Sequence, residues 1–199
     1  MAYTPKILAF AGSTRKESFN KKLVKIAADA ARAAGAQVTF LDLRDIPMPL
    51  YDGDLEAEQG IPENAKKLKA LLLAHDGLLI SAPEYNSSIS GVLKNAIDWA
   101  SRPYGDNAWD GKPVAMMGAS VGAMGTARAQ YHLRQVFVFL NMYPLNRPEV
   151  MIANASQRFD EKGNLTDDDT KTHIQKLLVA LVAWAKHHEG GRRAAAASE

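Results

Sequence analysis

Three polar, glycine-bearing segments hold the residues of this sequence best suited to chemistry. The first is Gly12-Ser13-Thr14-Arg15-Lys16-Glu17-Ser18-Phe19-Asn20. Ser13, Thr14, Ser18 and Asn20 offer short polar groups, Arg15 adds charge, and Gly12 permits a tight turn. A helix starting here would contribute unpaired N–H groups with positive dipole character, completing a cradle for a phosphate monoester. The same residues would also serve as a simple helix cap with polar neighbours. Neither GxGxxG nor GxxxxGK(S/T) is present, so the loop suits a terminal phosphate better than a pyrophosphate.

The second segment runs from Ser81 to Gly91 and contains Pro83-Glu84-Tyr85-Asn86-Ser87-Ser88. Pro83 should end a strand, and Tyr85 brings an aromatic face beside backbone amides that could bond the edge of a flat heterocycle. Glu84 reads as an acceptor that shapes the loop, because no histidine or second carboxylate lies near it in sequence to form an acid–base pair. The third segment, Met117 to Gly125, contains Gly118, Gly122 and Gly125, implying unusual backbone conformations or close contact with a ligand. Ser120 is its best-placed polar group. The five histidines (His75, His132, His173, His187 and His188) all fall outside these segments and match no metal-ligand spacing.

The elements that must position these loops follow from periodicity. Apolar runs at 6–11, 37–41, 77–82, 112–118 and 149–153 read as strands, and helical spacing covers 20–34, 63–74, 91–100, 125–140 and 166–188. Residues 42–60 read as an irregular connection. Thr166 with Asp169 suggests a capping box for the last helix. Alternating apolar strands and helices predict an α/β fold, one doubly wound five-stranded parallel sheet covered on both faces. In such a sheet ligands bind at the carboxyl ends of the strands, where all three loops emerge.

Composition narrows the chemistry. The 199 residues suit one domain, and the absence of cysteine excludes disulfides, thiol nucleophiles and cysteine-ligated metal or iron–sulfur sites. Any redox centre must therefore be a non-covalently bound cofactor. A net charge of +2 does not announce a nucleic-acid or membrane-surface partner. Apolar runs are about half the roughly 20 residues needed to span a bilayer, and no signal-peptide pattern is evident, so a cytoplasmic location is expected. Residues 189–199 read as a disordered tail beyond a 1–188 domain.

Trp99-Ala100-Ser101-Arg102-Pro103-Tyr104 and Trp109 are expected at the same end of the sheet as the second loop, as a substrate wall or subunit contact, with Trp99 itself in the core. Arg128 and Tyr131 share a helix face. Val136-Phe137-Val138-Phe139-Leu140 is more apolar than one buried stripe requires, which favours a homodimer or homotetramer.

The three loops together, in order, resemble those of the NADPH-dependent FMN reductase family, over roughly residues 5–185. The resemblance implies a flavodoxin-like sheet of order 2-1-3-4-5. It implies that Ser13, Arg15, Ser18, Phe19 and Asn20 bind the phosphate and ribityl end of FMN. Pro83, Glu84, Tyr85, Asn86 and Ser87 would wrap the isoalloxazine, with Ser120 on its far side. The third loop departs from the family's more glycine-rich or proline-containing turn at Val121-Gly122-Ala123-Met124. NADPH or NADH would pass a hydride to flavin N5, and a quinone or similar small acceptor would collect it in a ping-pong cycle that needs no catalytic side chain. With no separate nicotinamide domain, both substrates would take turns over the ring, near a subunit interface. A flavodoxin-like electron carrier without NAD(P)H turnover is the alternative, disfavoured by a pI near 8.7 and by Arg15. A receiver domain would need carboxylates where Gly12-Ser13-Thr14 stands.

Overall fold

The computed structural model describes residues 3–196, with side chains described as far as Gly190. Strands β1 (Lys6–Ala11), β2 (Gln37–Asp42), β3 (Gly77–Ser81) and β4 (Pro113–Ala119) pair in parallel in the order β2-β1-β3-β4. β3 and β4 are buried along their whole length, as strands covered on both faces must be. Alternation along the strands feeds two core layers. Ile7, Ala9 and Ala11 face helices α1 (Phe19–Ala33) and α6 (Asp168–Ala196). Leu8 and Phe10 face the opposite layer, built on α3 (Glu63–Leu73), α4 (Gly91–Ala100) and α5 (Ala127–Phe139). The small residues Ala27, Ala28 and Ala31 let α1 lie close on the sheet.

The fifth position of the sheet differs from expectation. Two short strands share it: β5 (Tyr143–Pro144) pairs with the start of β4, and β6 (Val150–Ile152) with its end. Tyr143 N and Leu145 N donate to Lys112 O and Val114 O, so Pro144 sits with its missing N–H on the open edge, where proline is tolerated. The register to β4 then shifts by three residues between Val114↔Pro144 and Met117↔Val150, and the extra residues interrupt the ladder. The order 2-1-3-4-5 holds, with a sixth strand completing the edge.

The connection after β2 is more ordered than its composition suggests. A 3-10 turn (Leu43–Asp45) and helix α2 (Gly53–Gln59) are capped by Asp42 and Asp52, whose carboxylates accept from Arg44 N at 3.0 Å and Asp54 N at 2.9 Å. Helix α6 is capped by Asp167 rather than by Thr166: its carboxylate accepts from Thr170 N at 3.0 Å and from the Thr170 hydroxyl. These bonds, the Thr170 hydroxyl foremost, hold the Asp167 carboxyl below its ordinary value. The helix runs on to Ala196, through alanines of the highest helix propensity, instead of stopping at His188. The last three residues of the expected tail lie outside the described residues.

The Trp99–Tyr104 stretch does not share an end with the loops. Helix α4 starts at the carboxyl edge of the sheet, where Ser90 Oγ donates to Gly12 O at 2.6 Å. Its ten residues then run about 15 Å back toward the opposite edge. Trp99 is fully buried there, its indole N–H bonded to Pro49 O at 2.8 Å. Trp109 is also fully buried, donating to Ile97 O at 3.2 Å, so neither ring can wall a substrate at the loops.

Candidate functional site

Main-chain bonds beyond the strands deliver the three loops side by side. Gly12 N donates to Ser81 O, Ala82 N to Met117 O and Ser120 N to Ile152 O, each at 2.9 Å. Asn20 ties them together. Its Oδ1 accepts from Ser81 Oγ (2.9 Å) and Ala119 N (3.0 Å), and its Nδ2 donates to Ala119 O (2.9 Å). This buried amide therefore frames the site, with one N–H left for a ligand.

A cleft of about 230 Å³ opens between the loops. Arg15, Ser18, Phe19 and Asn20 form one wall, Pro83, Glu84 and Tyr85 the second, and Ala119, Ser120 and Val121 the third. Ser13 is buried under the first wall and accepts from Arg15 N at 3.3 Å. Asn86 and Ser87 form the tip of a turn beside the cleft rather than its lining. Ala119 and Val121, which the sequence places in the third loop without assigning them a role, line the cleft although they lack polar groups.

At the first wall, Ser18 is the N-cap residue of α1, yet its side chain makes no capping bond and the first turn holds no acid. The leading N–H groups of the helix are therefore available at its positive end. No carboxylate among the described residues engages Arg15, which is exposed.

The second wall is pinned from α5. Tyr85 and Ser88 exchange two main-chain bonds of 3.0 Å around Asn86 (φ 51°) and Ser87 (φ 63°). Positive φ at both central residues is the type I′ arrangement, and neither residue is glycine. Arg128 Nη1 donates to Ser87 Oγ at 3.2 Å and lies 3.8 Å from Glu84 Oε1. His132 Nδ1 lies 3.0 Å from Ser88 Oγ. Glu84 Oε2 accepts from Ala129 N at 3.1 Å, capping α5, whose own N-cap Thr126 makes no side-chain cap. Glu84 is thus the shaping acceptor expected from sequence, and Arg128 and His132 join it as supports that local spacing did not reveal.

Two of the three glycines of the third loop, Gly118 and Gly125, are required by close chain packing. A Cβ at Gly118 would stand 2.0 Å from Thr126 Oγ1 and 2.5 Å from Ala82 O, and one at Gly125 would stand 2.8 Å from the Met151 backbone. Ser120 Oγ accepts from Gly122 N at 3.1 Å, while the apolar side chains of Val121 and Met124 are exposed in the same loop. No histidine lines the cleft, and among the described residues no cluster of three potential metal ligands occurs.

A doubly wound sheet of this order, with a helix N-terminus, an aromatic turn and a serine loop around one cleft, defines a flavodoxin-like protein. The chain belongs to the NADPH-dependent FMN reductase family, whose profile matches residues 5–157. It is 45% identical to an NAD(P)H-dependent FMN reductase of Pseudomonas aeruginosa, over 93% of this chain and 97% of that one. It is 43% identical to a 2-hydroxy-1,4-benzoquinone reductase of Burkholderia, over 91% and 96%. Its structure is similar to that of FerB, a flavoenzyme NAD(P)H:(acceptor) oxidoreductase of Paracoccus denitrificans, with a TM-score of 0.81 and 36% identity over 93% of this chain and 99% of that one. Among the described residues, no helix is long and apolar enough to cross a membrane.

Proposed function

We propose that the chain is an FMN-dependent NAD(P)H oxidoreductase that reduces quinones or similar small acceptors. The observation that carries this reading is the meeting, in one cleft, of an acid-free helix N-terminus, Arg15 and the Tyr85 turn. That donor set fits FMN. The first N–H groups of α1, with Ser13, Ser18 and Arg15, would hold the phosphate, and Phe19 would bound the ribityl end. Pro83, Glu84 and Tyr85 would bound the ring, with Ser120 on its far side, while Asn86 and Ser87 would shape the turn that carries Tyr85. Asn20 acts chiefly by holding the loops in register.

Bound FMN would supply hydride acceptance and donation at N5, which would let NAD(P)H and the acceptor react in alternate half-cycles. The chain contributes binding, orientation and electrostatics. Backbone N–H groups of the second loop would meet negative charge at the pyrimidine edge of the ring. Glu84 is not needed as a base, its carboxylate being engaged by Ala129 N. Val121 and Met124 offer an apolar rim for a flat aromatic acceptor.

A second copy of the chain completes the reading. Val138 and Phe139 on α5 are about 80% exposed, as is Tyr104 across a groove of about 470 Å³ between α4 and α5. Burying that face would bring a subunit contact onto the helix that pins the second loop. In this reading residues 1–188 form the flavin domain, and the protein works in the cytoplasm.

The test is the absorbance of the purified protein. A yellow protein bleached by NADPH without air is expected. A colourless protein that cannot be reconstituted with FMN overturns the reading, and a flavin that NADPH leaves oxidised points to an electron carrier. Light scattering that shows a monomer at micromolar concentration overturns the oligomer.

A further inference from the structure

A groove of about 530 Å³ runs along the outer side of α1, bounded by the corner after β2 and by the turn at residues 160–164. Six cations and three carboxylates line it, a balance of +3 against +2 for the entire chain, so the remainder sums to −1. The carboxylates are already engaged: Glu17 with Lys22 (3.3 Å), Asp29 with Arg32 (2.6 Å) and Asp42 with Lys21 (2.7 Å). Lys16, Lys25, Arg44 and Lys162 are left with no carboxylate partner among the described residues. Like charges gathered in one concavity attract a counter-charge and concentrate an anionic ligand.

The far wall is braced. Asp160 accepts from Asn164 N (2.8 Å) and Asn164 Nδ2 (2.9 Å), and these bonds, the side-chain one foremost, hold its carboxyl below the ordinary range. Gly163, at φ 83°, lies so close to Lys22 that a Cβ would stand 3.1 Å from the lysine Cδ. Lys162 is therefore presented to the groove by a tight turn. The groove also adjoins the cleft: Arg15 and Ser18 line one, while Lys16 and Glu17 line the other. From Ser18 to Lys25, α1 advances about 10 Å.

We propose that this groove receives the 2′-phosphate of the NADPH adenosine and so sets a preference for NADPH over NADH. The proposal rests on the NAD(P)H reading above. A phosphate monoester carries about −1.5 to −2 charges, which suits the four uncompensated cations. NADH offers only a neutral hydroxyl at that position.

The test is calorimetric titration of the protein, at low salt, with adenosine 2′,5′-bisphosphate and with 5′-AMP. The bisphosphate is expected to bind about tenfold more tightly than AMP, and the K25Q/K162Q variant to lose about that factor while AMP binding is unchanged. In turnover, the variant should raise KM for NADPH by a similar factor, leaving kcat and KM for NADH alone. The K66Q variant, on the other face of the sheet, should change none of these. Equal binding of the two nucleotides, or an equal loss in K66Q, overturns the proposal. Bisphosphate binding needs no flavin. A colourless protein that cannot be reconstituted with FMN but still separates the two nucleotides therefore upholds the groove while overturning the flavin reading.

Discussion

Glu84 Oε2 accepts a hydrogen bond of 3.1 Å from the backbone N–H of Ala129, so the loop after β3 caps a helix that begins more than forty residues later. The bond removes an orphan donor from the first turn of α5 and places a negative charge at its positive end. It also fixes the aromatic turn that borders the cleft. Replacing Glu84 by Ala should cost about 1 kcal/mol, as loss of a cap does, and lower Tm by roughly 2–4 °C in a chain of this size. Glu84→Gln keeps an acceptor and should fall short of half that loss, with kcat/KM within about threefold of the parent. A hundredfold fall in kcat/KM for Glu84→Gln at unchanged Tm would instead make Glu84 a base.

Arg15 tests the phosphate assignment. A charge-assisted bond is worth about 1.5–3 kcal/mol, so Arg15→Ala should weaken FMN binding by at least about tenfold. Glu84→Gln should weaken it less. Fluorescence titration of the apoprotein gives the order, and the reverse order would remove Arg15 from the phosphate site.

Asn20 is expected to matter for stability as much as for binding. Asn20→Ala leaves Ser81 Oγ, Ala119 N and Ala119 O without this partner in a buried place. The cost should be about 3 kcal/mol, read from the denaturation midpoint. A variant as stable as the parent would show that the amide is a ligand contact and not a brace.

Gly118 should tolerate no side chain. Gly118→Ala drives a methyl into Thr126 Oγ1 and Ala82 O, and should cost about 1–3 kcal/mol in chemical denaturation. Adding Thr126→Ala should recover only part of this, because the Ala82 carbonyl remains in place.

Acid should loosen two surface turns. The carboxyls of Asp160 and Asp167 sit below their ordinary value of 3.8, through bonds from Asn164 and Thr170 foremost. A depressed carboxyl contributes stability above its unfolded pKa and loses it as pH falls through the folded one. Stability should therefore decline below about pH 4. In Asp160→Ala/Asp167→Ala that decline should be shallower when Tm is followed against pH. Parallel curves for parent and variant would show that neither turn contributes.

Much of the architecture was legible locally. The apolar runs at 6–11, 77–82 and 112–118 became β1, β3 and β4 because a strand buried on both faces has to be apolar throughout. The three loops stood out because turns off such strands need glycine, proline and short polar residues. The fifth strand was legible in position but not in form, since the three-residue register shift that divides it shows only once β4 is known to be its partner.

The sequence by itself determined the alternation of elements, the two-sided core and the absence of any thiol chemistry, because each follows from residue type and near-neighbour spacing. Only the tertiary structure decided that Asn20 braces Ala119, that Glu84 caps α5 and that the Trp99–Tyr104 stretch lies at the far edge of the sheet. It also decided that Lys16, Lys25, Arg44 and Lys162 share one groove. Asn20 and Ala119 are 99 residues apart, and Glu84 and Ala129 are 45 apart. Contacts at such separations leave no periodicity in the chain. Helices α1 and α5 bring these partners together only when both pack on the same sheet.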